Sequence, residues 1–133
     1  MKLVFADAFY FGARLNRRDQ HHERVLRFSR DLRAHILISD WVPMEVADAL
    51  AESESRSRIA DFISHLRQSS ACEIVPASRE LFDSALGIYH QHADKQWTLT
   101  DCVSFAIMKA RNVTEALTGD KHFEQAGFIA LLR

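Results

Sequence analysis

Five short apolar runs divide the chain, and longer amphipathic segments separate them. The runs are KLVFA, HILIS, CEIVP, EALT and FIALL, and they read as strands buried on both faces of a parallel sheet. Apolar residues at helical spacing predict helices over residues 8–16, 19–33, 42–52, 55–69, 78–93 and 98–112, and a short one at KHFEQ. Strands that alternate with helices favour βαβ units. We therefore expect an α/β fold, a three-layer α/β/α sandwich with a central parallel five-stranded sheet.

Length and composition predict a single domain over residues 1–133. Hydrophobic residues make up 47% of the chain, enough for a real core, and no repeat or linker interrupts the pattern. No apolar run approaches the ~20 residues that span a bilayer, and MKLVFADAF is too short for a signal peptide. Cys72 and Cys102 lie in apolar contexts, which predicts reduced, packed thiols in a cytoplasmic protein.

Charge is balanced overall but uneven along the chain. The net charge of −1 argues against a polycation that coats nucleic acid. Seven of the 13 arginines nevertheless lie between Arg14 and Arg33, and arginine favours bidentate contacts with phosphate or carboxylate. The same segment also fits a solvated helix face with i,i+4 pairs such as Glu23–Arg27 and Arg27–Asp31. Both interpretations stay open.

Four acidic residues are predicted to lie at one edge of the sheet. Asp7 directly follows the first strand, and Asp120 comes two residues after the fourth. A helix that returns to a parallel strand runs antiparallel to it, so its first turn lies at the carboxyl edge of the strands. That argument places Glu45 and Asp101 at the same edge, outside which such sheets bind their ligands.

Each of these acids except Glu45 also fits a helix cap. Asp7 can cap the first helix, Asp120 can cap KHFEQ, and Thr98 with Asp101 has the spacing of a capping box. Glu45 suits a helix start but borders an apolar face, where an acid needs a partner. Carboxylates that meet at one spot repel each other, and a divalent cation removes that cost. A set of oxygen ligands without Cys or His suits Mg²⁺ or Mn²⁺.

Three stretches of the chain resemble the PIN-domain nucleases, in particular the VapC-type toxins of bacterial toxin–antitoxin pairs. They are VFADAFYFGARLNRRDQHH, LISDWVPMEVADAL and DKQWTLTDCVSFAIMKARNVTEALTGDKHFEQAGF. The family's acids fall on Asp7, Glu45, Asp101 and Asp120, and its hydroxyl residues fall on Ser104 and Thr118. Gly119 departs from the family pattern, which commonly has a side chain there, and we expect it to loosen the loop.

The resemblance implies a metal-dependent endoribonuclease that uses Mg²⁺ or Mn²⁺, binds a cognate antitoxin and forms a homodimer. Asp7 and Asp101 are then the primary metal ligands. Asp120 is a ligand or holds the attacking water, and Glu45 is a water-mediated ligand or a base. The preference for RNA over DNA comes from the family alone. Aromatic and aliphatic residues crowd DAFYFGARL and DWVPMEVADAL, so we expect an apolar groove that takes an antitoxin peptide.

Two other functions stay open. A receiver-like signalling domain also gathers acids and Mg²⁺ at a sheet edge, but it needs an acid at the end of the third strand, where VPAS stands. A non-catalytic PIN-fold interaction module would keep the fold without catalysis.

Several polar and aromatic residues outside the four acids receive simpler interpretations. The residues predicted to be solvated are His21, His22, His90, His92 and Asp94. Trp41 and Trp97 can stack on RNA bases, but packing in the core or at an interface is the favoured interpretation for both.

Overall fold

Five parallel strands form the central sheet in the order β3-β2-β1-β4-β5 of the computed structural model, which describes residues 1–133. The strands are β1 (Lys2–Ala6), β2 (Ala34–Ser39), β3 (Cys72–Val75), β4 (Glu115–Leu117) and β5 (Ile129–Ala130). The helices are α1 (Ala8–Leu15), α2 (His22–Asp31), α3 (Trp41–Ala49), α4 (Ile59–Gln68), α5 (Arg79–Gln91), α6 (Leu99–Ala110) and α7 (Lys121–Gln125). The predicted three-layer α/β/α fold and its strands are confirmed. One predicted helix differs, because its start forms a separate 3-10 turn at Glu54–Arg58.

The strand order creates a switch point between β1 and β4. From β1 the chain moves outward through β2 to β3, and it then crosses back to place β4 and β5 on the other side of β1. Ala6 at the end of β1 is paired with Leu117 at the end of β4. The segments that follow these two strands therefore leave the sheet side by side. Open α/β sheets bind ligands in the crevice at such a point.

Helices cover both faces of the sheet. Helices α1 to α4 form one layer, in which the Phe11 and Phe62 rings of α1 and α4 lie 5.3 Å apart. Helices α5 and α6 pack against each other in the opposite layer. None of the helices has the length and apolarity needed to cross a bilayer.

Trp97 belongs to the core, as the favoured interpretation predicts. It is 8% exposed, and its ring stands edge-on to Phe105 with the centroids 5.0 Å apart. Phe105 packs in the same way against Phe123 of α7 at 5.1 Å. The Trp97 indole N–H also donates to Gln125 Oε1 at 3.0 Å. These contacts fix α7 against the start of α6, and both helices carry residues of the site described below.

Three of the four histidines predicted to be solvated are instead partly buried. His21 stacks on Phe9 at 5.1 Å, and His92 stacks on Trp97 at 4.8 Å. His22 Nδ1 lies 2.6 Å from the carbonyl oxygen of Ala13. The prediction was wrong for these three because polar spacing along a helix does not reveal a neighbouring ring. His90 and Asp94 are exposed, as predicted.

The helix-face pairs predicted for the arginine-rich segment do not form. Neither Glu23–Arg27 nor Arg27–Asp31 is among the ion pairs of the protein. Arg24 instead donates from Nη1 to the carbonyl of Leu132 at 2.8 Å. Both cysteines are free, as expected, with Cys102 buried and Cys72 partly buried.

Candidate metal centre

The four predicted acids meet at the carboxyl edge of the sheet, beside the switch point. Asp7 follows β1, Asp120 follows β4 and caps α7, Glu45 lies in α3 and Asp101 lies in the first turn of α6. The negative charges of the other three all act on the carboxyl group of Glu45, which places the four within electrostatic reach of one another. These four residues are called the acid cluster below. No lysine or arginine forms an ion pair with any of them.

Asp7 occupies the N-cap position of α1 without capping it. Its side chain makes no cap hydrogen bond, so the capping interpretation is wrong for this residue. Asp7 Oδ2 instead accepts a hydrogen bond from Thr118 Oγ1 at 3.0 Å, and Thr118 is fully buried. The same hydroxyl oxygen accepts from the backbone N–H of Asp120 at 3.1 Å. Thr118 therefore ties the end of β1 to the loop that carries Asp120.

The capping box of Thr98 with Asp101 and the cap at Asp120 both form, as the sequence pattern indicated. The capping box of α6 is complete, because Thr98 Oγ1 accepts from the Asp101 N–H and Asp101 Oδ2 accepts from the Thr98 N–H, both at 3.0 Å. Asp120 Oδ1 accepts from the backbone N–H of His122 at 2.9 Å. Each cap uses one carboxylate oxygen. Asp101 Oδ1 and Asp120 Oδ2 accept no hydrogen bond from the protein, so a capping residue here keeps a second oxygen for a ligand.

His122 belongs to the site, although the sequence reasoning missed it. Its Nδ1 lies 2.9 Å from Asp101 Oδ2 and 3.4 Å from Asp120 Oδ1. One ligand atom from each of these three residues falls within 4.8 Å of the others, a spacing that could hold a metal ion. These three residues together offer oxygen and nitrogen donors, whereas the sequence pattern indicated oxygen donors alone. The feature of the sequence that could have indicated His122 is its position two residues after Asp120, in the first turn of α7.

The other hydroxyl residue of the resemblance lies apart from these contacts. Ser104 is buried, and its Oγ donates to the carbonyl of Thr100 at 3.3 Å within α6. Asp94 also lies outside the cluster, where it pairs with Lys95 at 3.3 Å.

Burial and mutual repulsion raise the pKa values of two acids in the cluster. Burial is the larger cause for Glu45, followed by the charges of Asp7, Asp101 and Asp120, and together they raise its pKa to about 7. Burial also raises the pKa of Asp7 to about 6, although the hydrogen bond from Thr118 opposes the shift. Both shifts follow from carboxylates that are withdrawn from water without a cationic partner.

Gly119 allows a close contact beside the cluster. A Cβ atom added to Gly119 would lie 2.6 Å from Cζ of Phe9, which is too close for any real side chain. The loop between Thr118 and Asp120 is therefore packed against an aromatic ring, where the sequence predicted a loosened loop.

A family model described as the PIN domain matches residues 4–129. The chain belongs to the PIN domain family. The receiver-like alternative is therefore wrong, and the sheet order agrees, since receiver-type doubly wound sheets have the order 2-1-3-4-5. This PIN domain is similar to proteins described as 23S rRNA-specific endonuclease VapC20 from two strains of Mycobacterium tuberculosis, CDC 1551 / Oshkosh and H37Rv. Identity is 23% over 127 residues, which cover 96% of this chain and 96% of each relative.

Two solved structures share the fold of this PIN domain. The crystal structure of M. tuberculosis VapC20, described as a sarcin–ricin loop cleaving toxin, superposes with a TM-score of 0.87 and 22% identity, covering 96% of this chain and 98% of that one. The crystal structure of FitAcB from Neisseria gonorrhoeae gives a TM-score of 0.64 and 17% identity, covering 96% and 94%. At these identities the likeness establishes the fold.

The donor set of this PIN domain fits a divalent cation. The acid cluster lacks a counter-charge from lysine or arginine, two of its capping carboxylates keep a free oxygen, and His122 adds a nitrogen. Hard carboxylate oxygens suit the divalent cations that proteins bind through oxygen.

Removal of the Asp7 charge should stabilise the metal-free protein at high pH. Between about pH 4 and about pH 6, the Asp7 carboxyl group is protonated in the folded protein but ionised in the unfolded chain. The free energy of unfolding therefore falls as pH rises through this range. The shift from 3.8 to about 6 corresponds to about 3 kcal/mol. In EDTA at about pH 8, Asp7→Asn should therefore melt at a higher temperature than the wild type, and the difference should vanish near pH 4.

The matched control for this melt is Asp94→Asn, which changes an exposed acid outside the cluster. It should leave the pH dependence of the melting temperature almost unchanged. An Asp7→Asn protein that is less stable than wild type at pH 8 would contradict the electrostatic account.

Proposed function

We propose that this PIN domain is an endoribonuclease that hydrolyses RNA phosphodiester bonds with Mg²⁺ or Mn²⁺ and acts as the toxin of a toxin–antitoxin pair. The observation that carries the proposal is the acid cluster at the switch point, where four carboxylates meet without a lysine or arginine partner. A protein gains nothing in stability from such a group unless a cation or substrate occupies it.

Each member of the acid cluster has a role in this proposal. Asp7 and Asp101 hold the cation directly, and Asp120 either joins them or orients the attacking water. Glu45 has a pKa of about 7, near the operating pH, which suits a base that takes a proton from that water or a ligand that acts through water. A divalent cation bound there would supply a Lewis acid for the phosphate and acidify the water.

Thr118 and Thr98 position the carboxylates in this scheme. Thr118 holds Asp7 through its hydroxyl group, and Thr98 holds Asp101 through its backbone N–H. Both contacts use one oxygen and fix the plane of the carboxylate. Catalysis by an acid cluster depends on such fixed orientation, since misplacement by about 1 Å can cost roughly 10²-fold in rate.

Two observations support RNA as the substrate. The sequence relatives described above act on 23S rRNA by their names, and one of them is described as cleaving the sarcin–ricin loop. In this chain, the exposed Arg24 lies near the acid cluster. Its guanidinium group donates a hydrogen bond to the carbonyl oxygen of Leu132. The backbone N–H of Leu132 in turn donates to the carbonyl oxygen of Thr118 at 3.0 Å. Arg17 and Arg18 are exposed in the segment that leads to α2. Guanidinium groups beside a cleavage site can bind phosphates of the substrate.

A groove of about 460 Å³ between α1, α2 and α4 fits an antitoxin segment. Phe11, Leu26 and Phe62 contribute apolar surface, and Arg14 and Arg58 outnumber Asp61 among the charged residues that line it. We call it the α1–α4 groove. It fits an apolar peptide that carries an acidic residue. The groove includes Phe11, Arg14 and Leu15 of the predicted stretch DAFYFGARL, whereas no residue of the second predicted stretch, DWVPMEVADAL, lines it.

The α1–α4 groove lies near the amino edge of the sheet, because Ile36 and Cys72 from the first halves of β2 and β3 line it. The acid cluster lies at the opposite edge. An antitoxin that inhibits cleavage must therefore extend a second segment beyond the groove to reach the acids.

An exposed apolar stripe on α5 supports the homodimer. Phe82, Leu86 and Tyr89 are 39%, 41% and 49% exposed, and their spacing places them on one face of the helix. Large apolar side chains grouped in this way mark interaction surfaces. A second copy of the chain covers this α5 stripe in our proposal.

The catalytic proposal is tested with a labelled stem-loop RNA that has the sarcin–ricin sequence. We expect cleavage with Mg²⁺ or Mn²⁺, none in EDTA, and a loss of roughly 10² to 10³ in rate for Asp7→Asn and Glu45→Gln. Asp94→Asn, which alters an exposed acid outside the cluster, should retain the wild-type rate. Binding of metal without cleavage of this or any other tested RNA would favour the non-catalytic interaction module.

The antitoxin proposal is tested by co-expression with the adjacent small reading frame and by measurement of the affinity of the purified pair. Arg14→Glu reverses a charge that lines the α1–α4 groove, so it should weaken the complex by at least about tenfold. Arg17→Glu makes the same change on an exposed residue outside the groove and should have little effect. Equal weakening by both variants would remove the groove as the binding site.

The dimer proposal is tested by sedimentation velocity. Leu86→Glu places a charge in the centre of the α5 stripe and should convert a dimer to a monomer, because a buried unpaired charge is costly. Ser84→Glu adds the same charge on an exposed position of α5 outside the stripe and should leave the dimer intact. A wild-type monomer at high protein concentration would reject the proposal.

A further inference from the structure

His122 stands where the acid cluster would be expected to contain only oxygen donors. Its side chain is 17% exposed, and its Nδ1 faces Asp101 Oδ2 at 2.9 Å and Asp120 Oδ1 at 3.4 Å. The imidazole is the only basic side chain with a nitrogen within 4.0 Å of a carboxylate oxygen of the cluster. Its Nδ1 therefore lies within reach of one carboxylate oxygen from each of two members of the cluster.

The backbone around His122 holds the ring in this position. Asp120 caps α7 by accepting the His122 N–H at 2.9 Å, so one residue both fixes the backbone of His122 and flanks its ring. The neighbouring Phe123 is fully buried against Phe105, which anchors α7 from the core side. The ring is therefore a built part of the site and does not belong to a mobile surface chain.

We infer that His122 is a nitrogen ligand of the cation: its Nδ1 releases to solvent the proton that it donates to Asp101 Oδ2 and takes the cation in its place, together with oxygens of Asp101 and Asp120. This inference rests on the proposed metal-dependent function and adds a residue and a metal preference to it. The three donor atoms lie within 4.8 Å of one another. Asp101 Oδ1 and Asp120 Oδ2 are free of protein hydrogen bonds, so both carboxylates can turn an oxygen to the ion without losing their caps.

A nitrogen ligand changes which cation the site prefers. Carboxylate and water oxygens suit both Mg²⁺ and Mn²⁺, but an imidazole nitrogen suits Mn²⁺, a transition-metal ion, better than it suits Mg²⁺. The site of this chain therefore binds Mn²⁺ more tightly than Mg²⁺, and the preference depends on His122. A purely structural histidine that only joins Asp101 to Asp120 would leave the preference unchanged.

The test is the electron spin echo envelope modulation of Mn²⁺ bound to the intact protein, which detects the nucleus of a directly bound nitrogen. Wild type should show nitrogen-14 modulation from a directly bound imidazole, and His122→Ala and His122→Asp should not. His90→Ala, which removes an exposed histidine on α5, is the matched control and should keep the signal.

Metal titrations give the second readout, with free Mn²⁺ followed by its paramagnetic signal and Mg²⁺ followed by competition. His122→Ala should weaken Mn²⁺ binding by at least about tenfold and Mg²⁺ binding by less. His122→Asp replaces the nitrogen donor with a carboxylate oxygen. This variant should still bind a cation, but its affinity for Mn²⁺ should exceed its affinity for Mg²⁺ by less than in the wild type.

The outcomes separate this inference from the proposed function. Two outcomes would overturn the role of His122: Mn²⁺ bound to wild type without nitrogen modulation, or nitrogen modulation that persists in His122→Ala. Neither outcome would contradict the proposed metal-dependent nuclease. A wild-type protein that binds neither cation overturns both. Thermal melts in EDTA confirm that each variant is folded before the metal is added.

Discussion

Mutual repulsion among four carboxylates is the constraint on which the rest of this structure depends. Asp7, Glu45, Asp101 and Asp120 come from four different elements, and the fold brings them together without a lysine or arginine between them. The rigid core must hold that arrangement, because the charges push the elements apart in the absence of a cation. The structure meets this requirement with a buried hydroxyl, a complete capping box and an aromatic anchor under α7.

A carboxylate of this protein can support a helix start and still keep one oxygen that could bind a metal ion. A capping aspartate accepts backbone N–H groups with one oxygen, which also fixes the direction of the other oxygen. The helix start is then a support for a ligand, since the side chain has lost its rotational freedom before any ion arrives.

The sequence predicted the sheet and the four acids because both follow from short-range patterns. Continuous apolar runs define the parallel strands, and the residues after β1 and β4 must lie at the carboxyl edge, which located Asp7 and Asp120. His122 was missed because its direction depends on how α7 packs against Phe105, a contact between residues distant in sequence. The capping alternative for Asp7 failed for a similar reason, since its partner Thr118 directly follows another strand, β4. Short-range patterns place residues along the chain, but they do not show which ring or hydroxyl group will face them.

The contact between Gly119 and Phe9 links the loop of the site to a distant part of the chain. The Phe9 ring lies against the glycine on one side and stacks on His21 at 5.1 Å on the other. His21 immediately precedes α2, the helix that carries Arg24. Positions 9 and 119 are therefore coupled: a side chain at 119 requires a smaller or rotated group at 9, and that change would alter the contact with the residue before the arginine-bearing helix. The loop of the acid cluster and the segment that leads to the basic helix thus share one ring, so a substitution in one changes the packing of the other.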